Sequence, residues 1–327
     1  MTLPLRATIQ LCTYNRAHLL GRVLDACFEQ TVPRDCYEVV LVDDGSADDT
    51  PQVIAAAQAR AACLFTVVVQ SNAGLARARN AGIARARGER IIFIDDDVLP
   101  VPSFVAAHLA SHRRAPRAIV RGAVINSESF ERLPTPTWSL ANYSGNFFWT
   151  SNVSVPLATL RSVGNFSEAF REYGWEDIEL GLRLRAAGVR AVFNRYALAF
   201  HYKPRPGSSD IAGMLRRARA QARTAVQLRR MHPSWRVRLA TGEDPLQLAL
   251  HRAFRAAGVL ERLERRIGSE GVIHGAAGRA LENADESAAS DMVLDRPRLR
   301  AVRALERETY FRELNAARSP AADERDA

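Results

Sequence analysis

Lysine is almost missing from this chain. Of its 327 residues 45 are lysine or arginine, and Lys203 is the only lysine. The formal net charge of +9 is therefore an arginine charge. A GC-rich genome accounts for most of this bias, and arginine is also the better fork for phosphate where one is needed. Cysteine is scarce as well. Cys12, Cys27, Cys36 and Cys63 form no C-x-x-C pair, which argues against zinc. Cys12 and Cys27 lie in apolar runs and read as small buried hydrophobes, so a reducing cytoplasm is the expected compartment. No apolar stretch approaches the ~18 residues that span a bilayer. The opening Met1-Thr2-Leu3-Pro4-Leu5-Arg6 leads into a strand and does not read as a signal peptide. No G-x-G-x-x-G follows the first strand and no G-x-x-x-x-G-K-[ST] occurs anywhere, which argues against a dinucleotide oxidoreductase and a P-loop ATPase. The remaining composition, 47% hydrophobic and 25% charged, is that of a soluble globular protein with one large domain or two smaller ones.

Against that background one motif stands out. Asp95-Asp96-Asp97 directly follows the apolar run Arg90-Ile91-Ile92-Phe93-Ile94. Three adjacent carboxylates at a strand end repel one another, and folding alone would not select them. A divalent cation bridging carboxylates to a phosphate-bearing ligand makes sense of the arrangement. The competing explanation is a cap on a turn at Val98-Leu99-Pro100.

The first hundred residues alternate strand and helix signals. Strands are expected at 8–12, 38–42, 64–69 and 90–94, and helices at 18–30, 48–62 and 74–87, the last ended by Gly88. Continuously apolar strands separated by helices imply a mostly parallel sheet covered on both faces. Further on, a helix is expected over 103–114, strands at 118–125 and 152–155, and a short helix over 157–163. Helix 176–187 is closed by Gly188, and separate strands follow at 189–194 and 197–201. Residues 127–147 read as an irregular, substrate-facing loop. Past Gly207 strands vanish, so a helical C-terminal region over 207–318 and a disordered tail over 319–327 follow an α/β domain of residues 1–206. That domain divides into residues 1–100 and residues 101–206.

In open parallel sheets, ligands bind outside the carboxyl ends of the strands. Thr13-Tyr14-Asn15-Arg16, Asp43-Asp44-Gly45-Ser46, Ser71-Asn72-Ala73-Gly74 and the Asp95–Asp97 triplet follow four successive strands. Four polar clusters thus share one edge of one sheet.

These motifs, with Ala78-Arg79-Asn80-Ala81-Gly82 and Gly174-Trp175-Glu176-Asp177-Ile178-Glu179-Leu180, occur in an order that resembles family 2 glycosyltransferases, over roughly residues 6–203. The resemblance implies a GT-A-like catalytic domain over 1–206, with a nucleotide-sugar-binding part (1–100) and an acceptor-side part (101–206), and inverting transfer of a sugar, of hexosyltransferase type, from a nucleotide-diphosphate donor, most commonly a UDP-sugar, to a hydroxyl. It further implies that Thr13, Asn15 and Arg16 line the nucleotide pocket, that Asp43 takes the N–H of the base with Asp44 beside it, and that Asn72 and Arg79 reach toward the donor. Asp95 and Asp97, the DxD pattern, would hold ribose and Mg2+ or Mn2+, with Asp96 on the donor side and His201 as a further metal ligand.

Such chemistry needs charge stabilisation on the leaving diphosphate and a base for the acceptor hydroxyl. Asp177 is the candidate base, with Glu176 in reserve. Both also suit a helix first turn, where the dipole favours acids. Trp175 offers an apolar platform for an acceptor sugar, and Asn152 is placed on the acceptor side. Ile178, Leu182 and Ala186 should form the buried face of this helix. A retaining transferase on the same fold, a sugar-phosphate nucleotidyltransferase and a non-catalytic glycan-binding protein are the alternatives.

Between Asp210 and Glu243 lie Arg216, Arg217, Arg219, Arg223, Arg229, Arg230, Arg236 and Arg238, without an acid. Met214, Leu215, Ala218, Ala222, Val226 and Met231 give this stretch an apolar face. A helix packed on the protein explains it. The sharper expectation is peripheral membrane contact through 211–242, at the inner face of the membrane, or with a lipid-linked acceptor. Aromatic interleaving for base stacking is missing, so nucleic acid is not an expected partner. Leu299, Val302, Leu305 and Leu314 offer a possible dimer seam too short for a coiled coil.

Overall fold

The computed structural model describes residues 5–136, 147–207, 209–245, 247–249 and 293–318. The expected tail over 319–327 and the middle of the 127–147 loop lie outside the described residues. The chain divides into two compact units. One comprises residues 1–171 and 176–204, the other 172–175 and 205–327.

In the first unit the order is β1 (Ala7–Thr13), α1 (Ala17–Phe28), β2 (Tyr37–Asp43), α2 (Thr50–Arg60), β3 (Leu64–Val69), α3 (Leu75–Arg85) and β4 (Arg90–Phe93). It continues with β5 (Val98–Pro100), α4 (Phe104–Arg114), β6 (Ile119–Ser127), β7 (Val153–Pro156), α5 (Leu157–Ser162), α6 (Glu176–Ala186) and β8 (Ala191–Tyr202). The strands form one eight-stranded sheet in the order β3-β2-β1-β4-β7-β6-β8-β5. The β3-β2-β1-β4 half is parallel throughout. β7 then enters antiparallel between β4 and β6, β8 runs parallel to β6, and β5 closes the edge antiparallel to β8.

Strand alternation separates two cores. In β4, Ile92 and the following Ile94 join α1, α2 and α4, while Ile91 and Phe93 join α3, α5 and α6. This is the period-2 geometry of a strand buried on both faces. Each fully buried side chain of this size contributes roughly 1.5–3 kcal/mol.

Several expectations change. The two strands foreseen over 189–201 are one, β8, with a register shift. Gly122 pairs with Asn194, but Ala123 pairs with Leu198. The extra residues leave carbonyls without ladder partners, and the Asn152 side chain supplies the donors: Nδ2 bonds Ala123 O at 3.0 Å and Ala197 O at 2.9 Å. With Nδ2 so fixed, Oδ1 must accept, and it takes the proton of His108 Nε2 at 3.0 Å. His108 Nδ1 therefore accepts from Ser154 Oγ at 2.8 Å, and Ser154 Oγ accepts in turn from His112 Nε2 at 2.8 Å. Burial presses His108 down to about 4 and His112 to about 3, so both rings are neutral. Asn152 is thus a core residue, 1% exposed with its polar atoms spent, and not an acceptor contact.

Gly88 does not cap α3. The helix ends at Arg85, capped by Ala86, whose N–H bonds Gly82 O, and Gly88 is glycine because a Cβ there would lie 2.4 Å from the Ala7 carbonyl carbon. On α6 the buried face is Leu180, Gly181 and Leu184 with Glu176 and Glu179, whereas Ile178 and Leu182 are half-buried and Ala186 is exposed. Glu179 stays inside because Arg183, one turn on, grips both its oxygens.

The second unit contains α7 (Asp210–Met231), α8 (Trp235–Ala240) and α9 (Arg296–Ala317). Asp295 caps α9 through Arg298 N at 2.9 Å. The apolar face of α7 packs on α9: Ile211 and Leu215 meet Val302, with Leu299 and Leu305 alongside, and Ala222 and Ala225 meet Phe311 and Leu314. The suggested dimer seam is therefore an intramolecular interface. No described helix is long and apolar enough to cross a membrane.

The bulge gives the first prediction. A Cβ on Gly122 would lie 2.2 Å from Ala197 O and 2.3 Å from the Asn152 amide. Gly122→Ala should destabilise the protein by about 1–3 kcal/mol in urea unfolding, and a wild-type midpoint would disprove the packing described.

Candidate active site

The carboxyl ends of β1, β2 and β4 meet because the parallel register aligns Thr13 with Asp43 and carries β4 alongside β1. Thr13 Oγ1 donates to Asp96 Oδ2 at 2.8 Å. The middle carboxylate of the triplet therefore points inward. Burial, only partly opposed by Arg16, lifts Asp96 to about 7. Asp43 Oδ1 accepts from Ser46 N at 3.0 Å and Ser46 Oγ at 2.6 Å, closing a turn. Asp44 accepts from Gln70 Nε2 and from the amides of Ala73 and Gly74, so it orders the loop that carries the exposed Asn72. Asn15, at φ 53, accepts from Ala47 N at 2.8 Å, and its own amide bonds Ser46 Oγ at 2.9 Å. The loops after β1 and β2 are thus laced together.

Arg79, on α3, is the hub. Its residue exposure is 4%. Nη1 donates to Glu176 Oε1 at 2.7 Å and Nη2 to Thr150 Oγ1 at 2.7 Å, with Asp95 Oδ1 at 3.5 Å. The Phe166 ring lies 5.2 Å below the guanidinium. Asp95 Oδ2 accepts from Ser151 Oγ at 2.5 Å. Sequence reasoning missed Thr150 and Ser151; the available signal was the polar run Thr150-Ser151-Asn152 just before a fully buried strand.

Asp97 faces the other way. Its Oδ1 lies 3.5 Å from His201 Nε2 and its Oδ2 3.5 Å from Arg16 Nη1. Burial would raise Asp97, but the hydrogen bond and charge of His201, with Arg16, carry it below the ordinary carboxylate range. Among the described residues, no three His, Cys, Asp or Glu side chains converge to hold a metal ion. Of the expected trio, Asp97 and His201 pair directly, and Asp95 is turned to Ser151 and Arg79. The pair fits a cation that keeps most of its coordination for ligand oxygens, as Mg2+ and similar ions do at phosphate sites.

Asp177 opens α6. Its Oδ1 accepts from Ile178 N at 2.6 Å. Burial first, then the neighbouring Glu176 charge, push it up to about 8 against the pull of Arg79. Glu176 is itself 5% exposed and bound to Arg79, so it is not presented as a proton acceptor. Trp175 belongs to the second unit. Its Nε1 donates to Gln221 O at 2.9 Å, and it lines a cavity of about 310 Å³ with Gln221, Arg303, Arg307 and Tyr310.

Residues 8–171 match the family described as Glycosyl transferase family 2, and the chain belongs to that family. It is 31% identical over 224 residues to a validoxylamine A glucosyltransferase of Streptomyces hygroscopicus subsp. jinggangensis (strain 5008), covering 58% of this chain and 53% of that protein. The chain thus spans about half the length of that relative. Among solved structures it resembles the mannosyltransferase PcManGT from Pyrobaculum calidifontis in complex with GDP-Man and Mn2+ (TM-score 0.58, 22% identity, 97% of this chain and 86% of that one). It also resembles residues 1–349 of S. aureus TarS in complex with UDP-GlcNAc (TM-score 0.51, 19% identity, 66% of each chain). These likenesses identify the fold as that of GT-A glycosyltransferases.

The raised Asp177 has a consequence for stability. Its folded value of about 8 lies above the ordinary 3.8, so its stabilising neutral form is fully present below about pH 4 and is lost as pH rises to 8. In chelating buffer, Asp177→Asn should raise Tm by roughly 2–4 °C at pH 8 and leave it nearly unchanged at pH 4. Equal shifts at both pH values would contradict the assignment.

Proposed function

We propose that the chain is a metal-dependent glycosyltransferase. It moves a sugar from a nucleotide-diphosphate donor, a UDP-sugar, to a hydroxyl of a glycan, lipid-linked or small-molecule acceptor, with inversion at the anomeric carbon. The observation that carries this reading is the buried Arg79, which joins Asp95 at the end of β4 to Glu176 beside Asp177. Carboxylates 81 positions apart in the sequence act on one guanidinium.

In the reaction, the acceptor oxygen attacks the anomeric carbon as the bond to the donor phosphate breaks. The electron pair leaves with the diphosphate, and the hydroxyl proton passes to Asp177. The Ile178 amide occupies Asp177 Oδ1, which leaves Oδ2 for that proton. Its basicity follows from burial and from Glu176. Arg16 and Arg79 supply fixed positive charge on the donor side, and Asp95 and Asp43 stand at the strand ends where ribose and base would lie. Asp97 and His201 would hold Mg2+ or Mn2+, which would supply Lewis-acid charge to the leaving diphosphate. Trp175, two residues before Asp177 in the sequence, is the acceptor platform in this reading.

Asp177→Asn keeps the bond from Ile178 but cannot take a proton. It should lower kcat about 10²–10⁴-fold with nucleotide binding retained. Wild-type kcat/KM should rise with pH until Asp177 is ionised, since the base works only as the anion. A product of inverted configuration by NMR is expected. A retained configuration would remove Asp177 from the role of base.

A cytoplasmic protein held at the inner membrane face is the accompanying proposal. The α7 arginines do not supply the contact alone, because Arg223 pairs with Glu172 and Glu313, and Arg229 with Glu243. Support comes from α8 and the end of α7, where Trp235, Leu239 and Met231 are 69%, 51% and 41% exposed amid exposed Arg230, Arg236 and Arg238. The protein should float with anionic vesicles in low salt, and Trp235→Ser with Leu239→Ser should abolish flotation. Failure of the wild type to float at any salt concentration would end this idea.

A further inference from the structure

The antiparallel register of β4 and β7 pairs Phe93 with Val153. Continued two residues outward, that register brings Ser151 opposite Asp95. The structure shows the contact, Ser151 Oγ to Asp95 Oδ2 at 2.5 Å. One residue further, Thr150 Oγ1 receives Arg79 Nη2 at 2.7 Å. Both are 4% exposed, so neither hydroxyl is a casual surface group. The backbone that presents them is fixed from behind. Asn152, the next residue, is held by His108 and by the carbonyls of Ala123 and Ala197.

We infer that Thr150 and Ser151 are positioning residues for donor binding, acting through Arg79 and Asp95. The inference rests on the glycosyltransferase reading above. Asp95 has two oxygens and a half-exposed face; with Oδ2 held by Ser151 and Arg79 beside Oδ1, its carboxylate plane is set before any ligand arrives. Arg79 has donors to spare, and Thr150 occupies one, which leaves the guanidinium plane a single orientation between α3 and α6. Without these hydroxyls both charged groups keep their chemistry but gain rotational freedom. That freedom must be lost on each binding event.

The test compares Ser151→Ala, Thr150→Val and Thr150→Ser with the wild type. Binding of UDP and of GDP, each with Mn2+, is measured by calorimetry, and donor and acceptor KM by steady-state assay. Ser151→Ala and Thr150→Val should each weaken binding of the preferred nucleotide and raise donor KM roughly tenfold, as expected for losing one hydrogen bond to a charged group. Acceptor KM should stay within about twofold, and Thr150→Ser should restore donor binding. In an Asp95→Asn background, Ser151→Ala should add less than about twofold, because its route is already cut. Nucleotide affinity and donor KM within about twofold of wild type in both hydroxyl-free variants would overturn the inference. So would full additivity with Asp95→Asn. Should Thr150→Val fail to fold, Ser151→Ala, the smaller change, decides alone. If the wild type transfers no sugar, or Asp177→Asn remains fully active, the catalytic reading fails, and the calorimetry still reports on these two residues.

Discussion

Water scarcely reaches the Arg79 guanidinium, so its charge has to be matched by protein. Glu176 does this at 2.7 Å, Asp95 assists from 3.5 Å, and Thr150 and the Phe166 face take up the remaining sides. Removing one partner from such a buried pair costs about 3–5 kcal/mol, because the other charge is left stranded. Burial alone would lower the arginine, but the surrounding anions hold it above its usual pKa. One cation therefore ties α3, the end of β4, the approach to β7 and the start of α6 into a fixed arrangement. The elevated Asp177 belongs to the same balance. Glu176 spends Oε1 on Arg79 while its buried Oε2 has no hydrogen-bond partner among the described residues, and that residual negative charge bears on the adjacent carboxyl.

Much of the fold was legible in the sequence, because continuous apolar strands and 3.6-period helices announce themselves locally. Strand 64–69 and the first three strand–helix alternations required nothing more. What was not legible depends on partners far along the chain. Asn152 resembled a site residue because it is polar and adjacent to a strand; its occupation came from the bulge between Gly122 and Ala123, opposite residues 195–197. β8 was divided because Arg195 and Tyr196 interrupt its apolar pattern, and they are the exposed residues at that bulge. The buried face of α6 was misjudged because two of its members are glutamates, whose burial depends on Arg79 and Arg183.

The candidate site divides in the same way. The acids at the strand ends could be found because β-strand edges of this type gather ligands, and their runs are conspicuous. Their separate orientations could not. Within Asp95-Asp96-Asp97, in the turn between β4 and β5, the middle side chain goes to Thr13 and the outer two to different partners. The arginine-rich stretch shows a related limit. It contains no acid between Asp210 and Glu243, yet Glu172 and Glu313 meet Arg223 from sequence positions 51 and 90 residues away.

Residues 172–175 belong to the C-terminal unit although both of their flanks belong to the other one. Glu172 grips Arg223, the Tyr173 carbonyl receives Thr224, and Gly174 leaves no room for a side chain beside the Thr224 hydroxyl. A polypeptide that leaves one body and re-enters it cannot be divided by a single cut. A gene shortened at codon 204 would still encode the whole sheet but would leave this tetrapeptide without its counterparts. Recombination between related genes faces the same obstacle: the helical half is inherited intact only together with four codons embedded in the other half.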